Sequence, residues 1–392
     1  MTPSKESERR RETQTFLWGM ATSSYQVEGG IRNCDWAEAA REGKVPKAGR
    51  ACDHYNRFES DFDIAVSLGA NALRISLEWA RIEPEEGKFD EAAILHYRKV
   101  LEALRRRNLI PMVGAWHFSL PLWFSRRGGF LQKDAEDIFA RYCRLIAERL
   151  GGHAELWLTM NEPMVYASEG YLKGAWPPFR KNPVAFLRAV RALARAHRAG
   201  YAAMKSARPS LKVGIAKHNI FFESNANPLN LALRACADWF WNHLFLRKLK
   251  GCQNFIGLNH YRYRKFGASK KERADRVRSD MGWEMHPDSL YRCLIALRPY
   301  GLPVYVTEHG IADAADTRRA AFLRLAFLSL RRAREEGVDV RGYFYWSLLD
   351  NYEWAEGFSK RFGLVAVNYD TLERTVRASA SVFEERARTN SL

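Results

Sequence analysis

Two carboxylates hold matching places in this chain: Glu162 in Thr159-Met160-Asn161-Glu162-Pro163 and Glu308 in Val306-Thr307-Glu308-His309-Gly310. Each follows a short apolar run of the kind that forms a barrel strand. Two acids on facing strand ends are the minimal equipment for cutting a glycosidic bond. One protonates the leaving oxygen, and the other attacks the anomeric carbon or activates water. A carboxyl gap of about 5–5.5 Å suits a covalent intermediate and retention, whereas roughly 6.5–9.5 Å admits water and inverts the centre. Other catalytic arrangements find no support. His54, His117, His260 and His309 lack an HExxH-type spacing, and no GxSxG elbow occurs. Gly19, Gly29 and Gly30 do not have dinucleotide-loop spacing, and there is no Walker sequence. No metal and no cofactor are expected.

The elements that must position the acids alternate along the chain. Strands are expected at 16–20, 72–76, 110–116, 156–160, 212–216, 255–259, 303–307 and 342–346. Helical patterns lie between them at 61–68, 92–107, 134–150, 183–206, 231–249, 289–297 and 318–336, and a last helix is expected at 375–386. Eight strands alternating with helices predict an α/β fold, a TIM (β/α)8 barrel, whose C-terminal strand ends converge on one cavity. The polar and aromatic residues collect at those ends: Gln26 and Glu28, Arg74 and Glu78, Trp116-His117, Asn161-Glu162, Asn259-His260-Tyr261, Glu308-His309, Trp346, and Glu353-Trp354 in the loop beyond.

Several blocks in this order resemble glycoside hydrolase family 1, the retaining β-glucosidase and β-galactosidase group. They are the run from Phe16 to Gly29 (FLWGMATSSYQVEG), Leu73-Arg74-Ile75-Ser76, His117-Phe118-Ser119-Leu120-Pro121, Asn161-Glu162-Pro163, Thr307-Glu308-His309-Gly310, and the run from Trp346 to Trp354 (WSLLDNYEW). The resemblance implies Glu162 as acid/base and Glu308 as nucleophile, with Arg74 and Tyr261 beside the nucleophile. It implies Gln26, His117, Asn161, Glu353 and Trp354 as sugar-gripping residues, Trp346 as the stacking floor, and Asn259 as a further polar neighbour. The sequence departs from the common pattern at His309, where Asn is usual, and at Phe118-Ser119, where Trp-Asp is usual. It is also short around residues 176–182 and 262–281, which are expected to shape the leaving-group side.

Chemistry asks different things of the two acids. Glu162 must keep its proton near neutrality, and negative charge from Glu308 favours that. Arg74 can stabilise the Glu308 charge, and the Tyr261 hydroxyl can donate to it. Asn161 can reach a sugar 2-hydroxyl or the nucleophile. Gln26 and Glu353 suit neutral sugar hydroxyls. Taken singly, His117 would read as structural, Trp346 as core and Tyr261 as an internal donor; their places at the barrel mouth favour sugar contacts. His309 either positions Glu308 or packs, and Trp18 and Trp36 are expected to pack.

The chain has 392 residues and a net charge of +17. Its arginine runs, such as Arg105-Arg106-Arg107, read as solvated helix faces, so no nucleic-acid partner is expected. Residues 1–15 are expected to be a flexible polar segment without a signal-peptide core, and 16–392 a single catalytic domain. No stretch is apolar enough to cross a bilayer, so no membrane partner is expected. Six scattered cysteines without CxxC spacing point to a reducing, cytoplasmic setting. The partner expected is a small-molecule or oligosaccharide β-glycoside, and homo-oligomerisation stays open. Ser359-Lys360 invites a rival 6-phospho-β-glycosidase reading, which a carboxylate at Glu353 opposes. A non-catalytic sugar-binding barrel is the other rival, opposed by the presence of both acids.

Overall fold

In a computed structural model that describes residues 15–392, eight parallel strands pair in chain order and close on themselves. They are β1 (Leu17–Ala21), β2 (Ala72–Ser76), β3 (Ile110–Gly114), β4 (Leu156–Asn161), β5 (Lys212–Ser224), β6 (Phe255–Phe266), β7 (Val304–His309) and β8 (Val340–Trp346). The closing register runs from Leu17 opposite Gly342 to Ala21 opposite Trp346. The segment expected at residues 1–15 lies outside the described residues, apart from the exposed Thr15.

Strand side chains alternate between two buried layers, as a barrel wrapped in helices requires. Leu17, Ala72, Met112, Leu156, Phe255, Tyr305 and Phe344 fill the lumen. Their neighbours Trp18, Leu73, Val113, Trp157, Ile256, Val306 and Tyr343 belong to the layer between strands and helices. Among the helices are α1 (His54–Ser67), α2 (Glu91–Arg106), α3 (Ala135–Leu150), α4 (Pro163–Ala167), α5 (Pro183–Ala207), α6 (Pro228–Asp238), α7 (Ser289–Leu297), α8 (Arg319–Glu335) and α9 (Ala380–Thr389). Helix α2 shows how sequence sets an element. Asp90 caps it by accepting from the Ala92 and Ala93 amides at 2.8 and 3.1 Å. Ile94, Tyr97, Leu101 and Leu104 recur on its buried face, and Arg105 and Arg106 sit at the negative end of its dipole. The arginines there are solvated and paired: Arg106 with Glu59 at 2.8 Å, Arg107 with Asp63 at 2.7 Å.

Three expectations need correction. Strands β5 and β6 do not stop at 216 and 259. They continue as a parallel ribbon, from Ile220 opposite Arg262 to Ser224 opposite Phe266, so the first part of the expected 262–281 loop is strand. The polar run Lys217-His218-Asn219 masks this continuity, because hydrogen-bonded backbone does not need apolar side chains. The helix expected at 231–249 starts at Pro228 behind an Asn227 cap and is interrupted by a π-helical turn, Trp239–His243. The helix expected from 375 starts at Ala380. Residues Arg374–Val376 (β10) instead pair antiparallel with Val365–Val367 (β9), and Arg374 is tied to Asp61 at 2.8 Å and to the Cys52 carbonyl at 2.6 Å.

Gly310, just after β7, has no room for a side chain. A Cβ there would lie 1.8 Å from the Trp346 carbonyl oxygen and 2.9 Å from its carbon. Backbone cannot yield as a flexible side chain does. Gly310→Ala is therefore expected to destabilise the fold by on the order of 3 kcal/mol, read as a lower denaturation midpoint at unchanged slope.

Candidate active site

Glu162 stands between the end of β4 at Asn161 and the start of α4 at Pro163, in the left-handed region, at φ 40° and ψ 60°. That conformation is costly for a residue with a Cβ and persists only where surroundings enforce it. Here the Glu162 amide donates to the Ala216 carbonyl at 2.8 Å, and Pro163 starts the helix. Phe118 (φ 71°) and Trp354 (φ 49°) take the same region at the same mouth. Irregular register between β4 and β5, β6 and β7, and β7 and β8 occurs close to Asn161, Asn259 and Glu308. Such bulges re-aim side chains at a barrel rim.

The two acids are joined by one hydrogen-bonded bridge. Asn259 Nδ2 donates to Glu162 Oε1 at 2.8 Å and to Asn161 Oδ1 at 3.0 Å. Arg74 donates to the same Asn161 oxygen at 2.7 Å, to the Thr307 carbonyl at 3.0 Å, and to Glu308 Oε1. Tyr261 donates to Glu308 Oε2 at 2.7 Å. Thr307 Oγ1 donates to Asn259 Oδ1 at 2.7 Å, which fixes the orientation of that amide. Asn161 Oδ1 is taken by two donors, so its Nδ2 faces His117 Nε2 at 3.0 Å. His117 must then accept through Nε2 and stay neutral. Its pKa is correspondingly pushed well below the usual histidine range, by burial and then by the Arg74 charge.

Burial, and after it the Glu308 charge, push the Glu162 carboxyl up to about 8. The site thus sets a carboxyl that holds its proton at neutrality beside a second carboxyl fixed by Arg74 and Tyr261.

The sugar-gripping candidates surround this pair. Gln26 is buried, and its amide donates to Asn351 Oδ1 at 3.0 Å, to the Tyr352 carbonyl at 2.8 Å and to Glu353 Oε2 at 3.3 Å. Half-buried Glu353 is pushed upward by burial and by Glu308, with Gln26 and Trp346 hydrogen bonds opposing. The His117 ring lies 6.0 Å from both Trp346 and Trp354, nearly parallel to each. All eleven residues singled out for the site thus fall at this one mouth. Glu28 and Glu78 do not join them. Glu28 accepts from Tyr97 at 2.8 Å and pairs with Arg81 at 2.9 Å. His309 points behind the strand, against Tyr343 Oη at 3.1 Å and the Phe322 ring at 4.4 Å, so it packs. Trp18 is core, and Trp36 buttresses Trp354 at 4.7 Å.

The Phe118-Ser119 departure has a physical reading. Ser119 Oγ lies 3.1 and 2.9 Å from the two oxygens of buried Glu78. An aspartate at 119 would set a second carboxylate against the first. Phe118 packs on Trp354 and Trp176 at 5.1 and 5.0 Å. Three contributors escaped the sequence reading. Asn351 holds Gln26, Thr307 orients Asn259, and buried Lys217 donates to the His218 carbonyl at 2.5 Å. Burial brings the Lys217 amine down to about 7, against the pull of Glu162. Lys217 broke an apolar run, and that interruption was the one signal available.

Comparison with known proteins agrees with this geometry. The sequence model of Glycosyl hydrolase family 1 matches residues 9–242 and 241–392. A 1,4-beta-D-glucan glucohydrolase of Thermotoga neapolitana is 32% identical over 435 residues, covering 96% of this chain and 98% of the relative. A solved beta-glycosidase from Pyrococcus horikoshii superposes with a TM-score of 0.89 at 36% identity, covering 96% of this chain and 94% of that one. A beta-glucosidase from Thermotoga maritima in complex with glucoimidazole gives 0.91 at 31% identity, covering 96% and 98%. The blocks that carry the two acids, the strand order and the whole-chain match agree: the chain is a member of glycosyl hydrolase family 1.

Proposed function

We propose that this O-glycosyl hydrolase removes terminal non-reducing β-linked neutral sugars, β-D-glucosides first, with retention at the anomeric carbon. The observation that carries the reading is the bridge Glu162–Asn259–Asn161–Arg74–Glu308, which ties a raised acid and a clamped carboxylate to one shared set of partners. In the first step a Glu308 oxygen bonds to the anomeric carbon as the bond to the leaving oxygen breaks. Glu162 passes its proton to that oxygen. Esterified Glu308 carries no charge, so the repulsion raising Glu162 fades and Glu162 becomes a competent base. It then takes a proton from water, whose oxygen replaces Glu308 at the anomeric carbon. An alcohol or second sugar in place of that water gives transglycosylation. Gln26 and Glu353 offer donor and acceptor pairs to sugar hydroxyls, and Trp346 offers a flat apolar face. Complexes of the Thermotoga maritima relative with sugar-like inhibitors support a small glycoside as ligand.

The phospho-sugar reading loses its cation. Lys360 donates to the Asp280 carbonyl at 2.9 Å and lies 3.9 Å from Glu356, and Ser359 donates to the Glu356 carbonyl at 2.9 Å. A cytoplasmic location draws support from six cysteines that are all unpaired.

Glu308→Gly should lower turnover of an aryl β-glucoside roughly 10⁴-fold or more, and added azide or formate should restore it. Ordinary turnover in that variant contradicts the assignment. Glu162→Gln should cost about 10²–10⁴-fold on poor leaving groups and far less on activated ones. In the wild type, kcat/KM for a poor leaving group should fall as pH rises through about 8, where Glu162 loses its proton. That limb should vanish from the profile of Glu162→Gln when the leaving group needs no acid. A panel of aryl glucosides, galactosides, fucosides and mannosides assayed side by side ranks the sugar.

A further inference from the structure

Helix α6 is inside out. A surface helix normally turns its apolar stripe inward. Here no residue of α6 is buried. Leu229, Leu231 and Leu233 are 68%, 44% and 44% exposed, and Trp239 just beyond is 47% exposed. Ala232, Ala235 and Cys236 are exposed as well. Residues 229, 232, 233 and 236 form one stripe at helical spacing, and 235 and then 231 carry the exposed arc on round the helix, Leu231 lying about 160° from Leu229 and Leu233. The polar residues face the protein instead. Half-buried Asn230 donates to Asn225 at 2.9 Å, the one acid, Asp238, accepts from Asn242 at 2.7 Å, and the one cation, Arg234, is half-buried on the same side as Asp238. The outward arc therefore holds no charge. Beside it, α5 begins with exposed Val184 and Leu187, at 65% and 43%, and is linked to the turn after α6 by the Phe186–Phe240 contact at 6.1 Å.

The surroundings of this face are basic. Exposed Arg188 and Arg191 follow Leu187 on α5. Exposed Lys270 and Lys271 follow Gly267, whose carbonyl accepts from Asn225 at the start of the α6 segment. The nearby acids Glu223 and Glu272 are both engaged by Lys265, at 3.5 and 2.9 Å. The whole chain carries +17.

From this arrangement we propose that α6 and the start of α5 dock on the surface of an anionic lipid bilayer, the uncharged arc entering the headgroup boundary and the basic rim meeting the lipid charge. The chemistry fits a peripheral, in-plane mode: leucines and a tryptophan on one side, cations flanking, and no need for a spanning segment. The sequence expectation of no membrane partner rested on the lack of such a segment, which surface binding does not require. A second copy is the competing occupant. It would bring two chains of +17 together with their arginine and lysine rims opposed, whereas an anionic surface relieves that charge.

The test is co-sedimentation of the full chain with vesicles of pure phosphatidylcholine or of phosphatidylcholine with 30% phosphatidylglycerol (about one anionic lipid in three). Binding to the anionic vesicles should exceed binding to the neutral ones by about tenfold and weaken as salt rises from roughly 0.05 to 0.5 M. The triple substitution Leu229→Glu, Leu231→Glu and Leu233→Glu should reduce the bound fraction about tenfold or more while leaving turnover of a soluble aryl glucoside unchanged. Unchanged turnover shows that the variant folds. No binding by the wild type, equal binding to both vesicles, or full binding by the triple variant would each overturn the proposal. So would sedimentation-velocity evidence that the wild type buries this face in a dimer that the triple variant dissolves, with no affinity for vesicles.

Discussion

One buried cation organises the mouth of this barrel. The Arg74 guanidinium, 1% exposed, reaches from β2 across the lumen to β4 and β7, giving its hydrogens to Asn161, to the Thr307 carbonyl and to Glu308. A planar fork of donors can satisfy three acceptors in fixed directions, which an ammonium cannot do as well. Breaking such a buried pair by removing one partner typically costs about 3–5 kcal/mol, because the other charge is left uncompensated. The positions of Glu308 and Asn161 are thus parts of one constraint. Asn259 extends it to the acid itself, and Thr307 fixes Asn259. Glu162, Asn161 and Glu308 cannot shift independently.

Around that constraint the protein keeps carboxylates in three different environments. Glu308 has a cation and a phenol. Glu162 has an amide, burial and a nearby negative charge, and so retains a proton. Glu78, behind the sugar site, has serine hydroxyls from Ser24 and Ser119, and burial with the Glu28 charge pushes it up to about 7. The exchange of a common aspartate for Ser119 belongs with Glu78: a site that carries one acid there has no room for two charges. His309 illustrates the opposite case. It adjoins Glu308 in sequence, yet β7 turns it toward Phe322 and Tyr343, where burial keeps the ring neutral.

Much of this was legible in the sequence. Alternating apolar runs announce the eight strands because both faces of a parallel barrel strand are buried, and the polar residues at their ends are then conspicuous. Glu162, Glu308, Arg74, Tyr261, Asn161 and Asn259 stand out for that reason. What stayed hidden depends on contacts between distant segments. Gln26 is held by Asn351, 325 positions away, and Arg374, tied to Asp61, opens a short strand that takes residues 375 and 376 out of the expected last helix. The β5–β6 ribbon was hidden because Lys217, His218 and Asn219 look like a loop while their backbone continues the ladder. Helix α6 was visible as an apolar segment, but periodicity gives the width of a stripe and not the side on which the rest of the protein lies.

The account turns on a displacement that happens twice at one carbon, first by Glu308 and then by water. The most direct measurement is proton NMR of an aryl β-glucoside reaction followed from its first seconds, before the released sugar mutarotates. Two displacements release the β anomer first, with the α form growing in only by mutarotation. Initial release of the α anomer would mean a single displacement by water, and would contradict the role assigned to Glu308.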